Sequence, residues 1–353
     1  MTNFRQRILI NDNGLAYSEM HDHISRLNNR PIVIICDKNT RLYCLDIFKK
    51  ELKIDINKLH IIEIKLGERS KSLQTCKYIW DALLAINCDK GDVVINLGGG
   101  VVCDIGGFAA SVFKRGIRFI NVPTTLLAMV DAGIGGKTGI DYSGIKNIIG
   151  TIVLPELTLI DDRYLNTLDD SDLKCGFAEM LKHALIWDKN YWDNLMLCNY
   201  QNPGIDLIKR SVEIKQTIVS QDLYETGKRK LLNFGHTIGH GIEAYFLKEN
   251  IKSSIKHGEA VAGGIILESY ISMRLGLLSE VNFKLIEKSI KRVFGIIKIP
   301  EDAPHDILEI IRQDKKNRNN DLLFVLLKDI GKAEYDVVVK DQDVLESLSY
   351  YSQ

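Results

Sequence analysis

The stretch DVVINLGGGVVCD, residues 92–104, decides the fold. Asp92–Leu97 is a short Val/Ile-rich run that reads as a buried parallel strand. It ends on Gly98, Gly99 and Gly100 and passes directly into a helical pattern at Val101, Val102, Cys103 and Asp104. Glycines at a strand-to-helix turn let a pyrophosphate approach backbone N–H groups at a helix N-terminus. The segment is not the GxGxxG fingerprint and does not follow the first strand, so an ordinary dehydrogenase Rossmann domain is not supported.

Working outward, Pro31–Cys36, His60–Lys65 and Phe119–Val122 have the same strand character. Between two of these strands, Lys71–Ile86 carries a helical stripe of Leu73, Cys76, Ile79, Trp80, Leu83 and Leu84. Strands alternating with helices imply βαβ units and a parallel sheet. From about Leu157 helices dominate: Ser171–Trp187, Gly204–Ser220, Thr237–Phe246, Glu259–Leu275 and Asn282–Phe294, with a late strand signal at Leu322–Leu327. The expected architecture is an α/β N-terminal domain over residues 1–160, with a Rossmann-like parallel sheet, and a mainly α-helical C-terminal domain over 161–353. A cleft between two such domains is a common ligand site.

A chain of 353 residues is too long for one ordinary core. Its 46 basic and 46 acidic residues cancel. That argues against a general nucleic-acid or anionic-membrane partner, but leaves room for a local basic pocket. No apolar run reaches the ~20 residues that span a bilayer. The opening MTNFRQRILINDNG lacks the apolar centre of a signal peptide. Seven scattered cysteines without a CxxC pair argue against a disulfide framework or a cysteine zinc site. The expected setting is reduced and cytoplasmic.

Three further segments carry chemistry. GIGGKT, residues 133–138, falls one glycine short of a Walker A loop because position 131 is Asp131. It reads as an anion-holding loop near Lys137. GERSKS, residues 67–72, taken alone is a solvated helix N-cap. NFGHTIGH, residues 233–240, sets His236 and His240 one helical turn apart, and spacing alone selects them as joint metal ligands. His257 follows at an expected helix start. Glu179 lies among small and apolar neighbours in GFAEMLKH (176–183), where pairing with Lys182 or His183 on a helix surface is the plain alternative. Arg115, Lys137, Lys146, Lys182, Lys215, Arg229 and Lys315–Lys316 gather near these segments and suggest a small polyanionic substrate.

These motifs occur in a fixed order: GGGVVCDIGGFAAS (98–111), KRGIRFINVPTTLLAMVDAGIGGKTGID (114–141), GIKNIIG (144–150), GFAEMLKHALI (176–186), LNFGHTIGHGIEAY (232–245), HGEAVAGG (257–264) and DKKN (314–317). Together they resemble the 3-dehydroquinate synthases of the sugar-phosphate cyclase superfamily. The resemblance implies a cytoplasmic homodimeric lyase of the shikimate pathway, serving chorismate and aromatic amino acid biosynthesis. It would convert 3-deoxy-D-arabino-heptulosonate 7-phosphate into 3-dehydroquinate and phosphate. Transient oxidation by NAD, β-elimination of phosphate, re-reduction and aldol closure would follow in turn, and no unusual protein base is needed.

By the same resemblance Glu179, His236 and His257 hold Zn²⁺ or Co²⁺, and His240 moves to the phosphate side. NAD lies on Gly100, Val101, Val102, Cys103, Asp104, Thr124 and Thr125. Asp37, Glu68, Lys71, Lys137, Lys146 and the turn Tyr164, Leu165, Asn166, Thr167 complete its site. Asp131, Lys137, Asn147, Lys182, Lys215, Arg229, Asn233, His240 and Lys316 hold the substrate, and Arg115 reaches the phosphate, across a dimer interface in one arrangement. Cys103 departs from the Gly or Thr common there and reads as a tolerated small side chain. The competing readings are a cyclase for sedoheptulose 7-phosphate or an amino-substituted substrate, a metal-dependent polyol dehydrogenase, and a non-enzymatic nucleotide-binding scaffold. Lys215 and Arg229 favour an acidic sugar over a neutral one.

Overall fold

The computed structural model describes residues 6–12, 14–26, 31–53, 59–248, 255–313 and 321–351. These group into two compact units that are not consecutive in sequence. Met1–Asp169 is joined by Gly204–Leu223, and Asp170–Pro203 by Tyr224–Gln353. The helix at Ile205–Gln221, which the sequence pattern placed in the helical half, therefore belongs with the α/β unit.

The first unit is built on a six-stranded sheet whose paired strands are all parallel. Its strands are β1 (Ile8–Ile10), β2 (Ile32–Asp37), β3 (Leu59–Ile64), β4 (Val93–Gly98), β5 (Arg118–Pro123) and β8 (Leu157–Ile160), in the order β1-β8-β5-β4-β2-β3. The four strands expected from sequence are present as β2 to β5. The edge strand β1 and its neighbour β8 are only three and four residues long, too short to show a pattern. The chain runs from β2 outward to β3, and from β4 outward the other way to β5. The strand order thus reverses between β2 and β4, and ligands of open parallel sheets bind beyond the carboxyl ends of strands at such a point.

Helices α1 (Leu15–Ser25), α2 (Lys38–Tyr43), α3 (Leu45–Leu52), α4 (Leu73–Ala85) and α5 (Gly100–Val112) connect these strands. One layer of core joins Val33, Ile35, Ile62, Ile64 and Val94 of the sheet to Cys76, Ile79 and Leu83 of α4 and to Val102, Ile105 and Ala109 of α5. The α4 stripe is narrower than the sequence suggests. Cys76, Ile79 and Leu83 are buried and Trp80 is half-buried, but Leu73 and Leu84 face solvent, because a single helix layer covers only one face of a helix.

GIGGKT is also resolved. A short π-helical turn at Ala128–Ala132 leads into the antiparallel ribbon of β6 (Lys137–Tyr142) and β7 (Ile145–Ile152). A Walker A loop must open a helix, and this one opens a strand. The ribbon was not legible because β7 is apolar yet largely exposed, with Ile145, Ile148 and Ile149 on the surface.

The second unit is mainly helical: α6 (Asp170–Trp187), α7 (Lys189–Leu197), α9 (His236–Lys248), α10 (His257–Arg274), α11 (Glu280–Phe294), α12 (Ala303–Gln313) and α13 (Asp341–Tyr351). A hairpin of β9 (Leu322–Asp329) and β10 (Lys332–Val339) completes it. Helix α10 packs against α6, α9, α11, α13 and β9. It is buried along nearly its whole length, as befits a helix apolar around most of its circumference. The helix at Ile205–Gln221 is α8. No described helix is long and apolar enough to cross a membrane.

The α4 boundary gives a direct test. Leu83→Ala should cost about 2–5 kcal/mol in urea unfolding, as a large-to-small change in a closed core. Leu84→Ala, at a side chain 59% exposed, should stay within about 0.5 kcal/mol.

Candidate active site

In the first unit, Asp37 and the triple glycine close neighbouring strands β2 and β4, at the reversal point. Asp37 caps α2: its Oδ1 accepts from the Thr40 backbone N–H at 2.8 Å. Gly99 is the N-cap of α5, and a Cβ there would meet Thr125 Cγ2 at 3.0 Å. Val101, Val102, Cys103 and Asp104 fill the first turns of α5. The Thr124 backbone N–H donates to Gly98 O at 3.0 Å, and Thr125 Oγ1 accepts from Ala128 N–H at 3.2 Å. Cys103 is buried with its thiol toward Gly98 O at 3.7 Å, and burial pushes its pKa up, which suits packing and not redox chemistry.

The GERSKS turn exceeds its expected role. Ser72 does cap α4, accepting from Thr75 N–H at 3.3 Å. Lys71 beside it is only 3% exposed. Its ammonium donates to Asp104 Oδ2 at 2.9 Å and to Asn147 Oδ1, and lies 3.4 Å from Glu68 Oε1. Burial pushes the Asp104 carboxyl up to about 6, with Lys71 opposing the shift. Asn147 holds a left-handed backbone (φ 52°), and its N–H donates to Asp141 Oδ1 at 2.8 Å. Lys137 and Lys146 lie exposed on the ribbon.

The turn Asp162–Thr167 splits in character. Tyr164 and Leu165 are buried, the Tyr164 hydroxyl meets that of Tyr17 at 2.8 Å, and Asn166 is exposed. The Thr167 hydroxyl donates to the Tyr164 carbonyl at 2.7 Å. Lys215 of α8 is buried, and its ammonium donates to the Asp131 backbone carbonyl at 2.6 Å and to the Asp131 carboxylate. Arg115 is exposed in a left-handed run: Lys114 (φ 49°), Arg115 (φ 65°) and Gly116 (φ 108°).

In the second unit, the Glu179–Lys182 pair is no surface pair. Glu179 has no exposure at all, and Lys182 and His183 beside it are buried as well. His236 opens α9 and His257 opens α10, and both present Nε2 to Glu179 Oε1 at 3.4 Å. One donor atom from each of Glu179, His236 and His257 lies within 4.8 Å of the others. His236 Nδ1 lies 3.0 Å from Phe234 O, which leaves Nε2 for the cluster. Burial raises the Glu179 carboxyl, but Lys182 and His236 outweigh it and hold the group well below the carboxylate range. Burial likewise pushes His236 down.

His240 stands in the same group. Its ring centroid lies 5.2 Å from that of His236 and 5.9 Å from that of His257. With Glu243 and His257 it forms a second set of donors within 4.8 Å. Glu243, whose Oε2 lies 3.6 Å from His257 Nδ1, was not singled out from sequence. Its position, one turn beyond His240 on α9, was the available signal. Arg229 and Asn233 lie in the short turn Lys228–Asn233 just before α9. Arg229 is buried, and Asn233 Nδ2 donates to Glu225 Oε1 at 2.6 Å. Lys316 lies outside the described residues.

The chain matches two families of known proteins: 3-dehydroquinate synthase N-terminal over residues 61–175 and 3-dehydroquinate synthase C-terminal over residues 176–317. It is 37% identical over 344 residues to a 3-dehydroquinate synthase of Parabacteroides distasonis, covering 95% of both chains. It is 35% identical to that of Campylobacter fetus subsp. fetus, covering 98% of this chain and 99% of the relative. Among solved structures, 2-epi-5-epi-valiolone synthase of Streptomyces hygroscopicus subsp. jinggangensis, with NAD⁺ and Zn²⁺ bound, superimposes with a TM-score of 0.84 at 26% identity, covering 100% of this chain and 98% of that one. By these matches along almost its whole length, the chain belongs to the 3-dehydroquinate synthase family.

Proposed function

We propose that the chain catalyses the 3-dehydroquinate synthase reaction, from 3-deoxy-D-arabino-heptulosonate 7-phosphate to 3-dehydroquinate and phosphate. The observation that carries this reading is the convergence of two imidazoles, from α9 and α10, on the fully buried carboxylate of Glu179 in α6, with His257 on the partly open side. Neither oxygen of Glu179 accepts a hydrogen bond of good geometry among the described residues. A buried carboxylate so placed suits a cation. Two nitrogens and one oxygen fit Zn²⁺ or Co²⁺ and leave coordination positions for substrate oxygens, as catalytic metal sites require.

When bound, the metal polarises an oxygen of the substrate, and NAD accepts a hydride that is returned within the same turnover. The chain's own residues do the rest. As metal ligands His257 and His236 would both bind through neutral Nε2 atoms. Burial already disfavours the charged form of His236, whereas Glu179 and Glu243 outweigh burial and push His257 up to about 9, so His257 would release a proton when a metal binds. Lys182 beside Glu179, together with Arg229 and Asn233 ahead of α9, offers fixed donors to an anionic sugar. Lys215, held by Asp131, and Lys137 with Asn147 offer others. Buried cations cost the protein solvation, so Arg229 and Lys215 favour a substrate with a carboxylate over a neutral sugar. His240 supplies an imidazole for the phosphate. Lys316 of the DKKN segment and the exposed Arg115 extend the phosphate contacts, with Arg115 serving the second copy of a cytoplasmic homodimer.

We assign NAD to the strand-order reversal. The N-terminus of α5 would offer backbone donors to its pyrophosphate, Asp37 would accept from a ribose hydroxyl, and Glu68, Lys71, Asp104, Lys146 and the Tyr164–Thr167 turn would hold the rest. Because the Tyr164 hydroxyl is engaged with Tyr17, this turn contributes its backbone and Asn166.

Inorganic phosphate release, with catalytic NAD and Zn²⁺, tests the reaction. Release should depend on metal, yield 3-dehydroquinate, and leave no net NADH. His257→Ala should lower it by at least ~10²-fold, about 2.7 kcal/mol of lost transition-state stabilisation. Release from sedoheptulose 7-phosphate instead, or stoichiometric NADH from simple polyols, would replace this reading with a competing one.

Asp104 gives a pH test. Its carboxyl titrates near 6 in the folded protein. It is ionised and able to accept above that pH, and protonated below it. NAD affinity measured calorimetrically should therefore weaken roughly tenfold between pH 7.5 and pH 5. Asp104→Asn should bind weakly at both values and lose the pH dependence.

A further inference from the structure

A buried carboxylate that takes no part in the proposed chemistry sits behind the histidines. Glu268 lies eleven residues after His257 on the same helix, α10, and has no solvent exposure. Its side chain turns to α9. Oε2 accepts from the Gly235 backbone N–H at 2.6 Å, and Oε1 accepts from the Ile238 N–H at 3.1 Å. These are N–H groups at the start of α9, where an α-helix leaves its donors without internal partners and carries partial positive charge. The carboxylate satisfies two of them and is itself stabilised by the helix end.

The surrounding backbone is shaped for this contact. Gly235 has φ 77°, a left-handed conformation that favours glycine. Gly264 of α10 lies so close that a Cβ there would stand 1.9 Å from the Gly235 carbonyl oxygen. Two helices thus meet backbone to backbone at the turn that starts α9. His236 follows Gly235 directly, and its Nδ1 lies 3.0 Å from Phe234 O, the residue before it. The imidazole is oriented by the same turn that Glu268 clamps.

We propose that Glu268 is a positioning residue for the metal site. Through Gly235 and Ile238 it fixes the start of α9, and with it the direction of His236 Nε2. Since His257 opens the same helix that carries Glu268, the two imidazoles are held in mutual register by α10. This inference rests on the Glu179/His236/His257 metal reading.

The test is metal affinity, measured by chelator competition on folded protein, with the visible absorption of the Co²⁺ form as a second readout. Glu268→Gln keeps the volume but offers one acceptor and one donor where two N–H groups wait. It should weaken Zn²⁺ and Co²⁺ binding by about 10–100-fold and alter the Co²⁺ ligand-field bands. Glu268→Asp, which keeps the charge on a shorter arm, should recover part of the loss. Ile290→Ala, a core truncation on α11, should lower the thermal midpoint yet keep wild-type metal affinity and bands.

Wild-type affinity and spectrum in Glu268→Gln overturn the proposal, and so does an equal loss in Ile290→Ala, which would mark a merely structural effect. Should both Glu268 variants fail to fold, hydrogen exchange on metal-free wild type decides. Slow exchange at the Gly235 and Ile238 amides supports the clamp, and fast exchange overturns it. Glu179→Gln separates the two readings: unchanged metal affinity there removes the metal site itself, whereas loss there with none in Glu268→Gln removes only the clamp.

Discussion

A carboxylate with no solvent exposure dominates the second unit. Burying the Glu179 charge is costly unless other groups answer it. The answer comes from separate stretches of sequence: Lys182 from the next turn of α6, His236 from α9 and His257 from α10. Each must arrive with its donor nitrogen facing one point. That requirement explains why the histidines stand at helix starts and why glycines surround them. Gly239 approaches the Ala260 carbonyl so closely that a Cβ there would stand 2.9 Å from it. The close packing of α9 on α10 is what brings the two rings to 5.6 Å between centroids.

The first unit solves a related problem with lysines. Lys71 is held by Asp104, and Lys215 by Asp131. A buried ammonium without a partner would lose its proton or drag in water. Paired with a carboxylate, it stays charged and in place. Such pairs are weak sources of stability, because desolvation consumes most of the Coulombic gain. Under the proposed function the two lysines would serve as cations that exchange the carboxylate for an anionic ligand. Here Lys71 keeps its charge against burial because Asp104 and Glu68 face it.

Much of this was legible in the sequence, for local reasons. The strand at residues 92–97 and the helix after its glycines follow from hydrophobic period and turn chemistry, which act over a few residues. The family resemblance brought Glu179, His236 and His257 together. Spacing alone selected His236 with His240, because a helical repeat can see only one helix, and His257 lies on another. The burial of Lys71 was hidden because it depends on Asp104, thirty-three residues away. The return of α8 to the first unit is long-range for the same reason. Glu268 sits in ILESYISMR, an ordinary helical sequence, and its meaning appears only when α9 is packed against it.

The distribution of glycine ties these points together. In the motifs that carry the chemistry, glycine stands where backbone must closely approach a neighbour: Gly99 against the Thr125 side chain, and Gly264 against the Gly235 carbonyl. Both contacts sit at helix N-termini, α5 in one unit and α9 in the other. At α5 the backbone donors are suited to a pyrophosphate arriving from solution. At α9 two donors are already taken by a carboxylate of the protein itself, Glu268. The same property of a helix end therefore serves two purposes in one chain. An end with unanswered donors can take up an anion, whereas an end closed by a buried carboxylate loses that capacity and gains a fixed direction, which the imidazole of His236 beside it shares.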